Sequence, residues 1–148
     1  MTESTVKITR KNPQSWRIQV MSQWAGLLIG LISLIASIAT LPKDLVWGDS
    51  PELAASAWIL GIPHPTGYPL YMLATRLFQA LPIGTILFRA HLFSAFCTAV
   101  AAWILYQCLY QILDSHFENR PGFPILPALV AVIAWLCTPI VWSQGRIA

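Results

Sequence analysis

Long apolar runs without charged residues restrict the fold of this sequence more than any other feature. A helix needs about 20 apolar residues to cross the hydrocarbon core of a bilayer. The runs 24–41, 90–113 and 122–142 approach or reach that length and contain no Asp, Glu, Lys or Arg. Because 56% of the residues are hydrophobic and only 10% are charged, the sequence predicts an all-α integral membrane protein with about three transmembrane helices.

Basic residues before the first run predict its orientation. Lys7, Arg10, Lys11 and Arg17 precede it, accompanied by the single acid Glu3, and such an excess holds a terminus in the cytoplasm. A cleavable signal peptide is the alternative, but its apolar core usually has about 7 to 15 residues before a small-x-small cleavage site. The sequence therefore predicts a cytoplasmic tail over 1–20, followed by a multi-pass domain over 21–148 in the cell membrane.

Small residues recur at helical spacing within two of these runs. Such rows allow close approach of a second helix, and packing within the chain is favoured over homodimerisation. The row in the first run comprises Gly26, Gly30, Ser33 and Ser37, and the row in the second comprises Ser94, Thr98 and Ala102.

The segment 53–75 also lacks charge, but it is rich in helix-breaking residues. Within nine residues it contains Gly61, Pro63, Pro65, Gly67 and Pro69. Irregular backbone is not tolerated in contact with lipid, so the sequence predicts a short helix over 51–60, a turn over 64–69 and a second short helix over 70–81. All three belong to an outer loop over 42–89. The alternative, a spanning segment, would move every later element to the other side.

Cysteine spacing and charge distribution argue against several classes of function. Cys97 and Cys108, if on one helix, lie about 16 Å apart, which is too far for a disulfide. Together with Cys137 they are predicted to be small buried apolar residues, and no Cys or His spacing matches a zinc site, so no structural metal is expected. The basic residues form no stripe of the kind that binds nucleic acid. Membrane lipid is the expected partner.

Two carboxylates follow the first apolar run, in Trp47-Gly48-Asp49-Ser50-Pro51-Glu52-Leu53. Ionisable groups at a membrane helix are candidate functional residues. The structural alternative is a capping box, with Asp49 as the N-cap, Glu52 three residues later and Pro51 in the first turn. Both roles are compatible, because a capping carboxylate can still face a cavity.

The second motif is the turn Gly61-Ile62-Pro63-His64-Pro65-Thr66-Gly67-Tyr68-Pro69-Leu70. Its prolines fix the path of the chain and Gly67 permits a sharp reversal. Such a frame would hold His64 and Tyr68 in set positions, although a single histidine is often structural. Arg76 and Arg89 follow, and each either pairs with a lipid phosphate or extends to the interface.

These two motifs, in this order, resemble the start of a family of multi-spanning bacterial proteins related to the eukaryotic transmembrane protein O-mannosyltransferases. The resemblance extends more loosely to 138–144. It implies a GT-C-type membrane fold and a polyprenyl-phosphate sugar as donor, with no cofactor besides this donor. The implied reaction is an inverting transfer of the sugar, with mannose the candidate, to a hydroxyl of a protein or glycan. It also implies Asp49 as the catalytic base with Glu52 as a supporting acid. The implied substrate-binding residues are His64, Tyr68 and Arg76.

The sequence departs from the family pattern in two residues and in length. Pro51 stands where glycine is usual, and Thr66 where a proline is common. Family members have many more spans, so the sequence is expected to be the N-terminal part of such an enzyme, with its own activity left open. Two alternatives are a non-enzymatic membrane protein or inactive paralogue, and a transporter element built on a broken helix at 61–69.

Overall fold

The computed structural model describes residues 13–42, 48–65, 67–117, 120 and 122–147. Over these residues the secondary structure is entirely helical, which confirms the predicted all-α class. Trp47, Thr66 and most of the predicted tail lie outside the described residues. The helices are α1 (Pro13–Ala39), α2 (Ser50–Ile59), α3 (Pro69–Gln79), α4 (Ile86–His116), α5 (Ile125–Leu136) and α6 (Pro139–Gln144).

Helices α1 and α4 are long and apolar enough to cross a membrane. The candidate spans are Trp16–Ala39, with 24 residues, and Ile86–His116, with 31 residues. At the α-helical rise these measure about 36 and 46 Å, more than the roughly 30 Å hydrocarbon thickness. Large apolar side chains remain exposed along α1, as at Trp24 (62%) and Ile32 (63%). Lipid covers such a surface, and the chain is therefore a membrane protein.

The two long helices pack against each other in antiparallel orientation. A Cβ added to Gly26 would lie 2.7 Å from Cδ1 of Tyr106, and one added to Gly30 would lie 3.1 Å from the carbonyl oxygen of Ala99. Because residue numbers rise along α1 as they fall along α4, the helices run in opposite directions. Ser33 and Ser37 are also buried, so the predicted packing of this small-residue row within the chain is confirmed.

Helix α5 completes the core by packing against both α1 and α4. The buried cluster combines residues of three helices: Ile29 of α1, Ala102, Tyr106 and Tyr110 of α4, and Ala128 and Val132 of α5. Ala102 is therefore a core residue, as its small-residue row predicts. Thr98 of the same row faces a different element, since a Cβ added to Gly145 would lie 2.7 Å from its Oγ1.

Antiparallel packing places the end of α1 and the start of α4 at the same end of the molecule, here called the site end. The segment between them therefore leaves and returns on one side. Arg146 also reaches the site end, where its Nη1 donates to the carbonyl oxygen of Thr40 at 3.1 Å. Arg17, Asp114 and Arg120 lie at the opposite end.

The two short helices of the predicted loop are present within one or two residues of the expected bounds. Helix α2 is followed by its C-cap residue Leu60, whose backbone is left-handed (φ 53°). Gly61 then donates its N–H to the carbonyl oxygen of Ser56 at 2.8 Å. Helix α3 begins directly after Tyr68, which is also left-handed (φ 40°). Each helix measures about 15 to 17 Å, roughly half the hydrocarbon thickness. The pair is therefore a helical hairpin that starts and ends at the site end.

The third predicted span, 122–142, is two helices rather than one. Helix α5 stops at Leu136, and α6 begins at Pro139 after Thr138 adopts an extended conformation (ψ 136°). Proline has no N–H for the helical ladder and excludes the helical conformation from the residue before it. A proline near the end of a spanning helix usually predicts a bend, but here the helix is broken completely, and α5 alone is about 18 Å long.

The outer limits of the first two spans also differ from the sequence prediction. Helix α1 begins at Pro13 rather than after the predicted tail over 1–20, and α4 runs from Ile86 to His116 rather than over 90–113. Proline is favoured in a first helical turn, and polar residues leave the bilayer core without ending a helix. Hydropathy located the apolar centres of the helices and not their ends.

The three cysteines are free, as predicted, but they are exposed on the surface of the bundle. The expectation that they are buried in the protein is wrong. Apolar runs in a membrane protein include the residues that face lipid, so an apolar neighbourhood in the sequence does not imply burial against other helices.

Candidate functional site

An open cavity of about 550 Å³ lies at the site end. It is built from four parts of the chain: the start of α2, the turn before α3, the facing surfaces of α3 and α4, and the end of α6. Its lining residues are Gly48, Asp49, Ser50, Leu53, His64, Tyr68, Tyr71, Ser94, Gln144 and Ile147.

Asp49 precedes α2, but its side chain does not cap the helix. Its backbone is helical (φ −79°, ψ −11°) and its carboxylate accepts no capping hydrogen bond, whereas a capping residue is usually extended. The capping-box interpretation is therefore wrong. With 71% of its side chain exposed, Asp49 presents a carboxylate that can accept a proton or bind a ligand.

Glu52 fastens the turn to α2 instead of capping the helix. Its Oε1 accepts the backbone N–H of His64 at 2.9 Å, and its Oε2 lies 3.3 Å from Nδ1 of the His64 ring. The hydrogen bond from the His64 backbone, with a further one from its ring, lowers the pKa of the Glu52 carboxyl group below its usual value. Glu52 is therefore held as a carboxylate beside the imidazole.

His64 and Tyr68 stand together on the cavity wall. Their ring centroids are 5.9 Å apart in an edge-to-face arrangement, and Nε2 of His64 lies 3.9 Å from Oδ2 of Asp49. Tyr68 adopts a left-handed backbone (φ 40°), which is strained for a residue with a side chain and is often found at functional sites. The structure thus brings Asp49, His64 and Tyr68 to one cavity, with Glu52 in contact with His64.

Arg76 is not among the cavity-lining residues. Its guanidinium lies over the ring of Trp58, 4.2 Å from the centroid, and that of Arg89 lies 6.0 Å from the same ring. Nη1 of Arg89 also donates to the carbonyl oxygens of Gln79 and Leu81. The geometry gives Arg76 a stacking role and Arg89 a role in closing the end of α3.

Four polar cavity residues were not predicted as site residues: Ser50, Tyr71, Ser94 and Gln144. Ser50 lies inside the acidic motif, and the other three are polar residues within or beside apolar helices, which is the one signal they offer. Burial raises the pKa of the Tyr71 phenol, so this residue lines the cavity as a neutral hydroxyl.

Comparison with known proteins shows the family of this chain. The model of the protein O-mannosyl-transferase TMEM260 N-terminal domain matches residues 49–146, from the acidic motif to beyond α6. The chain belongs to this family. The mouse protein O-mannosyl-transferase TMEM260 is 38% identical over 98 residues, which are 62% of this chain and 14% of the mouse protein. The predicted relation to the O-mannosyltransferases is confirmed.

This chain therefore covers a small part of the length of that relative. No solved structure matches this chain. Eight of the ten cavity-lining residues fall within the matched segment, since only Gly48 and Ile147 lie outside 49–146. The cavity is thus a feature of the part of the chain that the family defines.

Proposed function

We propose that this cavity is the donor-side part of an active site that transfers a sugar, with mannose the candidate, from a polyprenyl phosphate to an acceptor hydroxyl. The observation that carries the proposal is the free carboxylate of Asp49, which lines the cavity without a capping bond. Family membership supports it, because the mouse relative is named as a protein O-mannosyl-transferase. The site end would then face away from the cytoplasm, with the N-terminus inside.

The reaction is a direct displacement at the anomeric carbon. The Asp49 carboxylate takes the proton of the acceptor hydroxyl as its oxygen attacks that carbon from the face opposite the phosphate. The bond between the anomeric carbon and the phosphate oxygen breaks, and the polyprenyl phosphate leaves with the electron pair. Because attack and departure are on opposite faces, the sugar configuration inverts.

The other residues would orient the donor. His64, fixed by Glu52, is 3.9 Å from Asp49, and its ring would lie beside the phosphate of a bound donor. The hydroxyl of Tyr68 would hydrogen-bond the sugar or phosphate, whereas that of Tyr71 is buried. Arg76, directed to Trp58, would bind a lipid headgroup only after leaving that ring.

A second, almost entirely apolar cavity supports a lipid-linked donor. It measures about 630 Å³, is lined by Tyr68, Pro69, Leu70, Tyr71, Ala74 and Phe93, and shares two tyrosines with the polar cavity. An amphiphile with a charged head and an apolar chain matches this pair of neighbouring cavities. A free sugar nucleotide, which is polar throughout, would leave the second cavity unused.

The test is sugar transfer by the purified chain in lipid nanodiscs, with labelled polyprenyl-phosphate mannose and a hydroxyl-bearing acceptor peptide. We expect Asp49→Asn to lower the turnover rate about 100-fold or more, the usual contribution of a general base. Asp114→Asn, which removes a carboxylate at the opposite end, is the matched control and should transfer normally. Unchanged transfer by Asp49→Asn would contradict the proposal.

A further inference from the structure

Three potential metal ligands converge at the mouth of the cavity. One ligand atom from each of Asp49, Glu52 and His64 lies within 4.8 Å of the others. The two ring nitrogens of His64 face different carboxylates: Nδ1 lies 3.3 Å from Glu52 Oε2, and Nε2 lies 3.9 Å from Asp49 Oδ2, so only one of the two nitrogens can bind the ion. The residue spacing of known zinc sites does not predict this set, because the proline-rich turn brings His64 back to α2 from 12 residues along the chain.

Mutual distances of up to 4.8 Å between one atom of each residue are slightly wider than those in a coordination shell. Two ligand atoms bound to one ion at about 2.1 Å lie about 3.0 Å apart when adjacent and about 4.2 Å apart when opposite. Asp49 is the more exposed of the two carboxylates, with 71% of its side chain accessible against 48% for Glu52, so it can rotate to complete the shell while Glu52 keeps its hydrogen bond to the His64 backbone. His64 cannot drift, because its backbone N–H is held by Glu52 at 2.9 Å.

Ser50 provides a second, independent sign of a ligand. This residue is 3% exposed, and its Oγ makes no hydrogen bond in the described part of the chain. A buried hydroxyl without a partner costs about 1 to 3 kcal/mol, so native structures rarely retain one without a reason. Ser50 lines the same cavity and adjoins Asp49. An ion pair between His64 and the two carboxylates would leave this hydroxyl unexplained.

We infer that Asp49, Glu52 and His64 form a binding site for a divalent transition-metal ion, with Ser50 oriented toward a water or phosphate oxygen on that ion. One imidazole nitrogen with two carboxylate oxygens suits Mn²⁺, Fe²⁺, Co²⁺ or Zn²⁺ better than a soft, thiolate-preferring ion. Three protein ligands leave positions open toward the cavity. Asp49 has two carboxylate oxygens, so one can bind the ion while the other accepts a proton.

The role of this ion rests on the proposed function. A divalent cation beside the donor would neutralise charge on the departing phosphate. Arg76 does not do so in this geometry, because its guanidinium lies over the Trp58 ring. The ion site itself does not depend on that role, because its ligands are assigned from their separations and from the Ser50 hydroxyl. Binding and transfer are therefore separate measurements.

Manganese is the probe for the test, since its free six-line EPR signal disappears on binding and its preference for oxygen and nitrogen avoids the three free cysteines. The full chain, purified with an affinity tag that contains no histidine and treated with chelator, is titrated with Mn²⁺. We expect one ion per chain, and at least tenfold weaker binding for each of Glu52→Gln and His64→Ala. The matched controls Asp114→Asn and His116→Gln should bind as the unaltered chain does, and circular dichroism verifies helix content in every variant.

Absence of stoichiometric binding would overturn the inference, as would binding that Glu52→Gln and His64→Ala leave unchanged. The transfer assay separates this failure from that of the proposed function. If transfer depends on Asp49 but survives chelation and no Mn²⁺ binds, the ion site is wrong and the transferase proposal stands. If one Mn²⁺ binds through these ligands and Asp49→Asn transfers sugar as the unaltered chain does, the ion site stands and the transferase proposal is wrong.

Discussion

Arg76 and Arg89, both in the predicted outer loop, show how two residues with the same predicted role acquire different roles in the structure. Arg76 stacks on Trp58 at 4.2 Å, a contact made by the face of one guanidinium. Arg89 uses its edge instead, with Nη1 directed to Leu81 at 2.9 Å and Nε to Thr85 at 3.2 Å. A planar group with several donors can join separate carbonyls in this way, so Arg89 holds the end of α3 to the start of α4.

Replacing Arg89 should therefore destabilise the protein more than replacing Arg76. Charge-assisted hydrogen bonds contribute about 1.5 to 3 kcal/mol each, whereas a cation–π contact contributes about 0.5 to 1 kcal/mol at an exposed site. We expect Arg89→Ala to lower stability by about 2 kcal/mol or more, and Arg89→Lys to recover only part of it. Thermal unfolding in mild detergent measures the difference. Equal loss in Arg76→Ala and Arg89→Ala would contradict the structural role of Arg89.

Part of the candidate site was predictable from the sequence because its residues lie in two dense motifs. Asp49, His64 and Tyr68 are marked by the acidic segment and by the proline-rich turn. Ser94 is marked only as a packing residue of a small-residue row and Gln144 is not marked, because a single polar residue in an apolar helix gives no local sign of a site. The role of Glu52 was missed for another reason: its partner is 12 residues away, and local spacing favoured a capping box that the helical backbone of Asp49 does not form.

At the scale of elements, the contact between α1 and α4 holds the site in place. It joins the two long helices through glycines, and these same helices carry the loop at one end. The sequence predicted this contact correctly, because small residues at helical spacing have one physical use in a membrane helix. The break between α5 and α6 was predicted only as a bend, since the direction of the chain after Pro139 depends on what it packs against.

Enlarging Gly26 should separate these helices. A Cβ at this position would lie 2.7 Å from Tyr106, 3.1 Å from Gln107 and 3.1 Å from Trp103, so Gly26→Leu would overpack the interface. Overpacking usually costs about 1 to 3 kcal/mol, and we expect a lower thermal midpoint in detergent, with Gly26→Ala intermediate. Ala39→Leu is the control, because Ala39 is exposed on the same helix. An unchanged midpoint for Gly26→Leu would show that the two helices do not pack through this face.

At the scale of the whole molecule, the antiparallel pair fixes which segments share a side of the membrane but not which side that is. Among the described residues, Arg17 and Arg120 lie at one end, while Arg76, Arg89 and Arg146 lie at the site end. The positive charge that favours a cytoplasmic N-terminus therefore comes from Lys7, Arg10 and Lys11. Orientation depends on a short basic segment, and the proposed function depends on orientation.

Cysteine labelling in intact cells decides this orientation. The three native cysteines are exposed and are first replaced by alanine. Single cysteines are then introduced at Ile83, 47% exposed in the loop between α3 and α4, or at Ser115, exposed at the far end of α4. We expect a membrane-impermeant maleimide to label Ile83→Cys in intact cells and Ser115→Cys only after permeabilisation.

The two variants control for each other, because the part of α4 between their positions is about 44 Å long at the helical rise. Labelling of both from the same side would contradict the assignment of α4 as a membrane span. The reverse pattern would retain the span but place Asp49 in the cytoplasm, where a carboxylate at the site end would meet cytoplasmic acceptors and donors instead. The proposed transfer to an acceptor outside the cytoplasm would then be wrong, whereas the metal ligands and the helix contacts would be unaffected.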